Sequence, residues 1–75
     1  MKKSFDVKLG NILRAKRQDK GFSMEYVAQQ LKVTKMTISH WETGTRSMYA
    51  EPLRDYCRLL GITMQEAFDL MEKTS

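Results

Sequence analysis

Residues 22–44, FSMEYVAQQLKVTKMTISHWETG, constrain this chain more than any other stretch. They read as two short amphipathic helices joined by a tight turn. Val27, Ala28 and Leu31 share one helical face, and Ile38 and Trp41 share another. The second helix is otherwise small, polar or basic, interrupted only by Met36, Ile38 and Trp41. A helix built that way buries one narrow stripe and offers the rest to something polar. In a small chain with a formal net charge of +4, that pattern points to a DNA duplex as the partner.

Length sets the other limits. Seventy-five residues make one domain, 1–75, with a small core spanning about residues 7–72. A single cysteine, Cys57, forms no internal disulfide, fits a reducing cytoplasm and excludes a cysteine-ligated metal cluster. Stability must come from packed helices, and a dimer would add to it. No apolar run is long enough to cross a bilayer, so no membrane association is expected. The start MKKSFDVKLG has two lysines without an apolar signal core behind them, which argues against export.

The expected fold class is all-α, with five helices. Leu9, Ile12 and Leu13 place the first over about Val7 to Lys20, stopped by Gly21. Ser23 caps the second and Thr34 the third, which Gly44 ends. Thr45 to Tyr49 form a loop. The fourth spans about Ala50 to Leu60, with Pro52 tolerated because it lies in the first turn. Gly61 follows, and Thr63 with Glu66 forms a capping box for a fifth over Met64 to about Met71. The tails Met1–Ser4 and Lys73–Ser75 are expected to fray. Strand signals, internal repeats and linkers are absent from the sequence.

One pair of charges stands out. Arg17 continues the inward stripe of the first helix, four residues after Leu13. Glu42 continues the inward stripe of the third, four residues after Ile38. An unpaired ion in a core is costly, so the simplest resolution is that the two meet. The other reading is that both reach water past Trp41.

From about Leu9 to Met71 the chain resembles the helix-turn-helix domain of the lambda repressor/Cro family, of XRE type. The matching segments are LGNILRAKRQDKGFS, YVAQQL, VTKMTISHWETG and LRDYCRLLGITMQEAF, all in register. The resemblance implies a compact five-helix DNA-binding domain, and it places Arg17 and Glu42 where that family keeps a buried salt bridge. Two departures stand out. Met24 replaces a Gln that in the family touches phosphate and braces the recognition helix, so that contact is lost or passes to Ser23. Lys32 replaces the Gly of the turn; if its backbone is left-handed, the side chain costs on the order of 1 kcal/mol.

In such motifs the amino-terminal half of the recognition helix enters the major groove. The expected base-contacting residues are Lys35, Met36, Thr37, Ser39 and His40. Lys35 suits guanine O6 or N7, and Met36 suits a thymine methyl, unless it merely covers its neighbours. The expected phosphate-contacting residues are Ser23, Thr34, Thr43, Thr45 and Arg46. Lys2, Lys3 and Lys8 form either an arm or, the favoured reading, a solvated face; Arg14, Lys16 and Lys20 are read the same way. Met64, Phe68, Leu70 and Met71 exceed what one face of the last helix can bury. They make a dimer or partner surface, or they complete the small core.

The functional expectation is a sequence-specific, cytoplasmic transcriptional regulator, a Cro- or repressor-like protein of a phage, mobile element or toxin–antitoxin locus. Its partner would be double-stranded DNA with a palindromic operator, bound as a homodimer. The alternative is a phage modulator or antirepressor that keeps this fold and grips a repressor or polymerase. An enzyme is not expected, because one His, one Cys and scattered carboxylates supply no paired constellation. No metal and no cofactor is expected.

Overall fold

The computed structural model describes residues 4–73, with side chains from residue 5 onward. Five helices follow in order: α1 (Ser4–Asp19), α2 (Met24–Leu31), α3 (Lys35–Thr43), α4 (Ala50–Leu60) and α5 (Met64–Lys73). No strand occurs among the described residues. Lys2 and Lys3 lie outside them, as does the rest of the two tails beyond Ser4 and Lys73.

The helix signals act locally. Ser23 Oγ accepts from Tyr26 N–H at 3.0 Å and Thr34 Oγ1 from Thr37 N–H at 3.1 Å, each satisfying an orphan donor of a first turn. Thr63 and Glu66 form the reciprocal box: Glu66 N–H donates to Thr63 Oγ1 at 3.0 Å, and Thr63 N–H to Glu66 Oε1 at 2.8 Å. α4 begins without a side-chain cap, and Pro52 lies in its first turn.

Both end helices run further than their spacing suggested. α1 starts at Ser4 rather than Val7, and α5 continues to Lys73 rather than stopping near Met71. Asp6 in the first turn complements the α1 dipole and accepts a hydrogen bond from Ser47 Oγ. Phe5 lies against Phe68 of α5, ring centroids 6.0 Å apart. Tertiary contacts thus extend a helix that periodicity alone ends early.

The core is a single cluster drawn from all five helices, including Leu13, Val27, Ile38, Tyr56, Leu60 and Ala67, each 0–1% exposed. Met71 belongs to this core at 7% exposure. The partner-surface reading is corrected at Met71: α5 turns it inward on the same helical face as Met64 and Phe68, which pack half-buried against the core, whereas Leu70 is half-buried off that face.

α1 crosses α3 at unusually close range. A methyl group on Gly10 would lie 2.5 Å from the carbonyl oxygens of both Trp41 and Glu42. A residue that weakens a helix interior by about 1 kcal/mol relative to Ala therefore lets two backbones touch. Gly44, at φ +78°, ends α3 in the left-handed region and meets the backbone of Val7 in the same way.

Candidate nucleic-acid interface

α2 and α3 are joined by a turn whose one strained residue is Lys32. Its backbone is left-handed, φ 60° and ψ 42°, and it is the sole non-glycine residue at positive φ among those described. Lys32 N–H donates to Gln29 O, and Val33 N–H to Ala28 O at 3.0 Å, so the last carbonyls of α2 stay satisfied. The strain buys a sharp turn that sends α3 across α2.

α3 buries Ile38 (0%), Trp41 (8%) and Glu42 (2%). Its opposite side carries Lys35 and Met36, exposed, and Thr37, Ser39 and His40, half-buried. Met36 is 67% exposed, far more than an apolar side chain covering its neighbours would be. Met36, Ser39 and His40 share a ridge on the side away from Ile38 and Trp41, with Lys35 and Thr37 at its two edges.

The rear of α3 is fixed by a charged cluster. Arg17 Nε donates to Glu42 Oε2 at 2.7 Å and Nη2 to Glu42 Oε1 at 3.1 Å, a two-pronged pair. Arg17 Nη1 also donates to the Phe22 carbonyl at 2.8 Å, tying in the turn that leads to α2. Tyr56 of α4 donates its hydroxyl to Glu42 Oε2 at 2.5 Å. Burial, with the Glu42 carboxylate beside it, pushes the Tyr56 phenol well above its ordinary pKa, so it stays a donor. The bond to Glu42 likewise raises Arg17. Among the described residues, no buried side-chain polar atom lacks a partner.

The front carries a second ion pair. Lys35 Nζ lies 3.0 Å from Glu25 Oε2, with side chains 61% and 64% exposed. The bond to Lys35 holds the Glu25 carboxyl below its usual range. Glu25 is exposed on α2, ten positions away in sequence, so no periodicity signals the contact. Two other participants were also missed. Tyr56 reads only as part of the α4 stripe; a carboxylate partner for its hydroxyl is not visible in that pattern. Gly10 did leave a signal, since a glycine inside a helical stripe often marks a close approach.

The residues expected at phosphates flank the ridge. Ser23, Thr34, Thr43, Thr45 and Arg46 are all exposed. Their hydroxyls are not equivalent. Ser23 Oγ accepts from the Tyr26 backbone N–H. Thr34 shares a 2.9 Å hydrogen bond with Thr37 Oγ1. Thr43 Oγ1 donates to Ser39 O at 2.9 Å and lies 2.8 Å from Thr45 Oγ1, so its one proton is spent inside the helix. Arg46 is the one charged residue of the group. Met24, the residue after Ser23, is half-buried against the core.

No group of three or more His, Cys, Asp or Glu is placed to hold a metal among the described residues. Cys57 is buried, and burial raises its thiol to about 11, away from nucleophilic use. No helix of the described chain is long and apolar enough to cross a membrane.

Comparison with known proteins agrees with this geometry. A family model described as helix-turn-helix matches residues 13–67. The fold aligns with the clp gene regulator ClgR from Corynebacterium glutamicum at a TM-score of 0.88 and 26% identity, over 92% of this chain and 73% of that one. It aligns with the restriction-modification controller protein C.AhdI from Aeromonas hydrophila at 0.77 and 29% identity, over 83% and 94%. No curated protein matches the sequence.

Proposed function

This chain belongs to the helix-turn-helix family of DNA-binding regulators, and we propose that it reads double-stranded DNA sequence-specifically through α3, as a Cro- or repressor-like transcriptional regulator. The observation that carries the reading is the ridge of Lys35, Met36, Thr37, Ser39 and His40, backed by buried Ile38, Trp41 and Glu42. Lys35 faces a guanine edge and Met36 a thymine methyl, with Thr37, Ser39 and His40 completing the contacts. Ser23, Thr34, Thr45 and Arg46 position the domain on phosphates, and Thr43 orders the exit loop beside them. Likeness to a gene regulator and a restriction-modification controller supports a regulatory role. In this reading the chain binds and does not catalyse.

A module this small grips few base pairs, so a homodimer on a palindromic operator follows. Leu70, with the parts of Met64 and Phe68 that the core leaves uncovered, is the surface we assign to the second copy. Selection from a pool of randomised duplexes tests the reading. The expected product is a short two-fold motif whose affinity falls steeply with salt. Lys35→Ala should cost about 1–3 kcal/mol on that motif and less on random DNA, whereas Arg46→Ala should weaken both alike. Recovery of no motif would overturn the reading.

A second reading, a modulator that grips a repressor or polymerase, is favoured by one observation: Met36 is a large apolar group at 67% exposure on the face that should be wet. Tight capture of such a protein, lost in Met36→Ala and indifferent to specific DNA, would establish it.

A further inference from the structure

Glu25 is an acid at the edge of a surface that should meet phosphates. Its Oε2 lies 3.0 Å from Lys35 Nζ, at the first turn of α3. Any base edge that Lys35 reaches therefore has a carboxylate a few ångströms away. An exposed ion pair contributes little to folding, so stability does not explain the placement. Near a phosphate backbone the carboxylate is repelled, which lowers affinity for DNA of any sequence.

The pairing bears on base reading. The ammonium has three donors, and one directed at Glu25 leaves the others aimed along restricted directions. A flexible lysine is thereby held toward one edge instead of roaming to the nearest phosphate.

We propose that Glu25 is a positioning and specificity-determining residue of the reading surface: it holds Lys35 on a guanine edge and away from the nearest phosphate. This rests on the DNA-reading function assigned above. The carboxylate trades affinity for discrimination, because an ammonium tied internally neutralises a phosphate less well.

The test compares wild type, Glu25→Gln, Lys35→Ala and the double variant. Two probes are used across a salt series: a duplex recovered by wild type from a randomised pool, and a mixed-sequence duplex of equal length. Melting curves first establish that all four fold alike. Glu25→Gln is expected to bind the mixed duplex about 3–10-fold tighter, with a log–log salt slope steeper by about 0.9 as Lys35 engages one more phosphate. The ratio of affinities for the two duplexes should shrink, and reselection should return a degenerate base where wild type demanded one. With Lys35→Ala already present, Glu25→Gln should change that ratio by less than about twofold. An equal gain on both duplexes would overturn the proposal, as would the same loss of discrimination without Lys35. Failure of wild type to select any duplex would instead overturn the DNA-reading function, and this inference with it.

Discussion

Behind α3, Arg17 Nε lies 2.7 Å from Glu42 Oε2, with side chains 8% and 1% exposed. In front of it, Lys35 Nζ lies 3.0 Å from Glu25 Oε2, with side chains 61% and 64% exposed. The lengths are nearly the same and the surroundings are opposite. The rear pair has no water to fall back on, so each partner depends on the other, on Tyr56 and on the Phe22 carbonyl. The front pair can be exchanged for water or for a base at small cost. Separation does not tell a structural ion pair from a functional one; what surrounds it does.

The contrast breaks first at Glu42. Glu42→Ala strands Arg17 and the Tyr56 hydroxyl, and is expected to cost about 3–5 kcal/mol, read by urea denaturation. A loss below about 1 kcal/mol would show that the rear pair is as replaceable as the front one. Next in size is Gly10→Ala. The added methyl meets backbone at 2.5 Å, and backbone does not yield as a flexible side chain does. Overpacking of about 1–3 kcal/mol should outweigh the helix-propensity gain of about 1 kcal/mol, giving a net loss in thermal melts. DNA affinity should fall with it, since α3 is pushed off α1. Lys32→Gly acts in the other direction. Relief of the left-handed backbone should stabilise by about 1 kcal/mol, or roughly 4–8 °C in a domain of this size. Smallest is Lys35→Ala, which should leave the melting temperature unchanged while weakening selected DNA. A clear drop in stability would move the front pair into the same class as the rear.

Much of this was legible along the chain. The caps at Ser23, Thr34 and Thr63, the glycine at 44 and the left-handed Lys32 are local events, decided within four or five residues. Arg17 and Glu42 could be matched because each lies on a periodic stripe, and two stripes facing one core must meet. Glu25 and Lys35 lie on no stripe. Their contact depends on the angle at which the turn sets α3 against α2, a quantity fixed by the whole core. Tyr56 shows the same limit from inside: burial of its ring follows from α4 periodicity, whereas the direction of its hydroxyl does not. Met71 was left between two readings for a related reason. Counting apolar residues on α5 says that some surface is in excess, but only packing against α1 and α4 decides which residue is spared.

The crossing at Gly10 leaves no side chain between the main chains of α1 and α3. The spacing of the third helix at this point is therefore set by peptide groups, which are the same in every amino acid, while the buried Arg17, Glu42 and Tyr56 hold it from behind. Residues on its outer side can be exchanged without re-aiming it, as a drill bit is changed in a fixed chuck. A retargeted variant would inherit its docking angle unchanged.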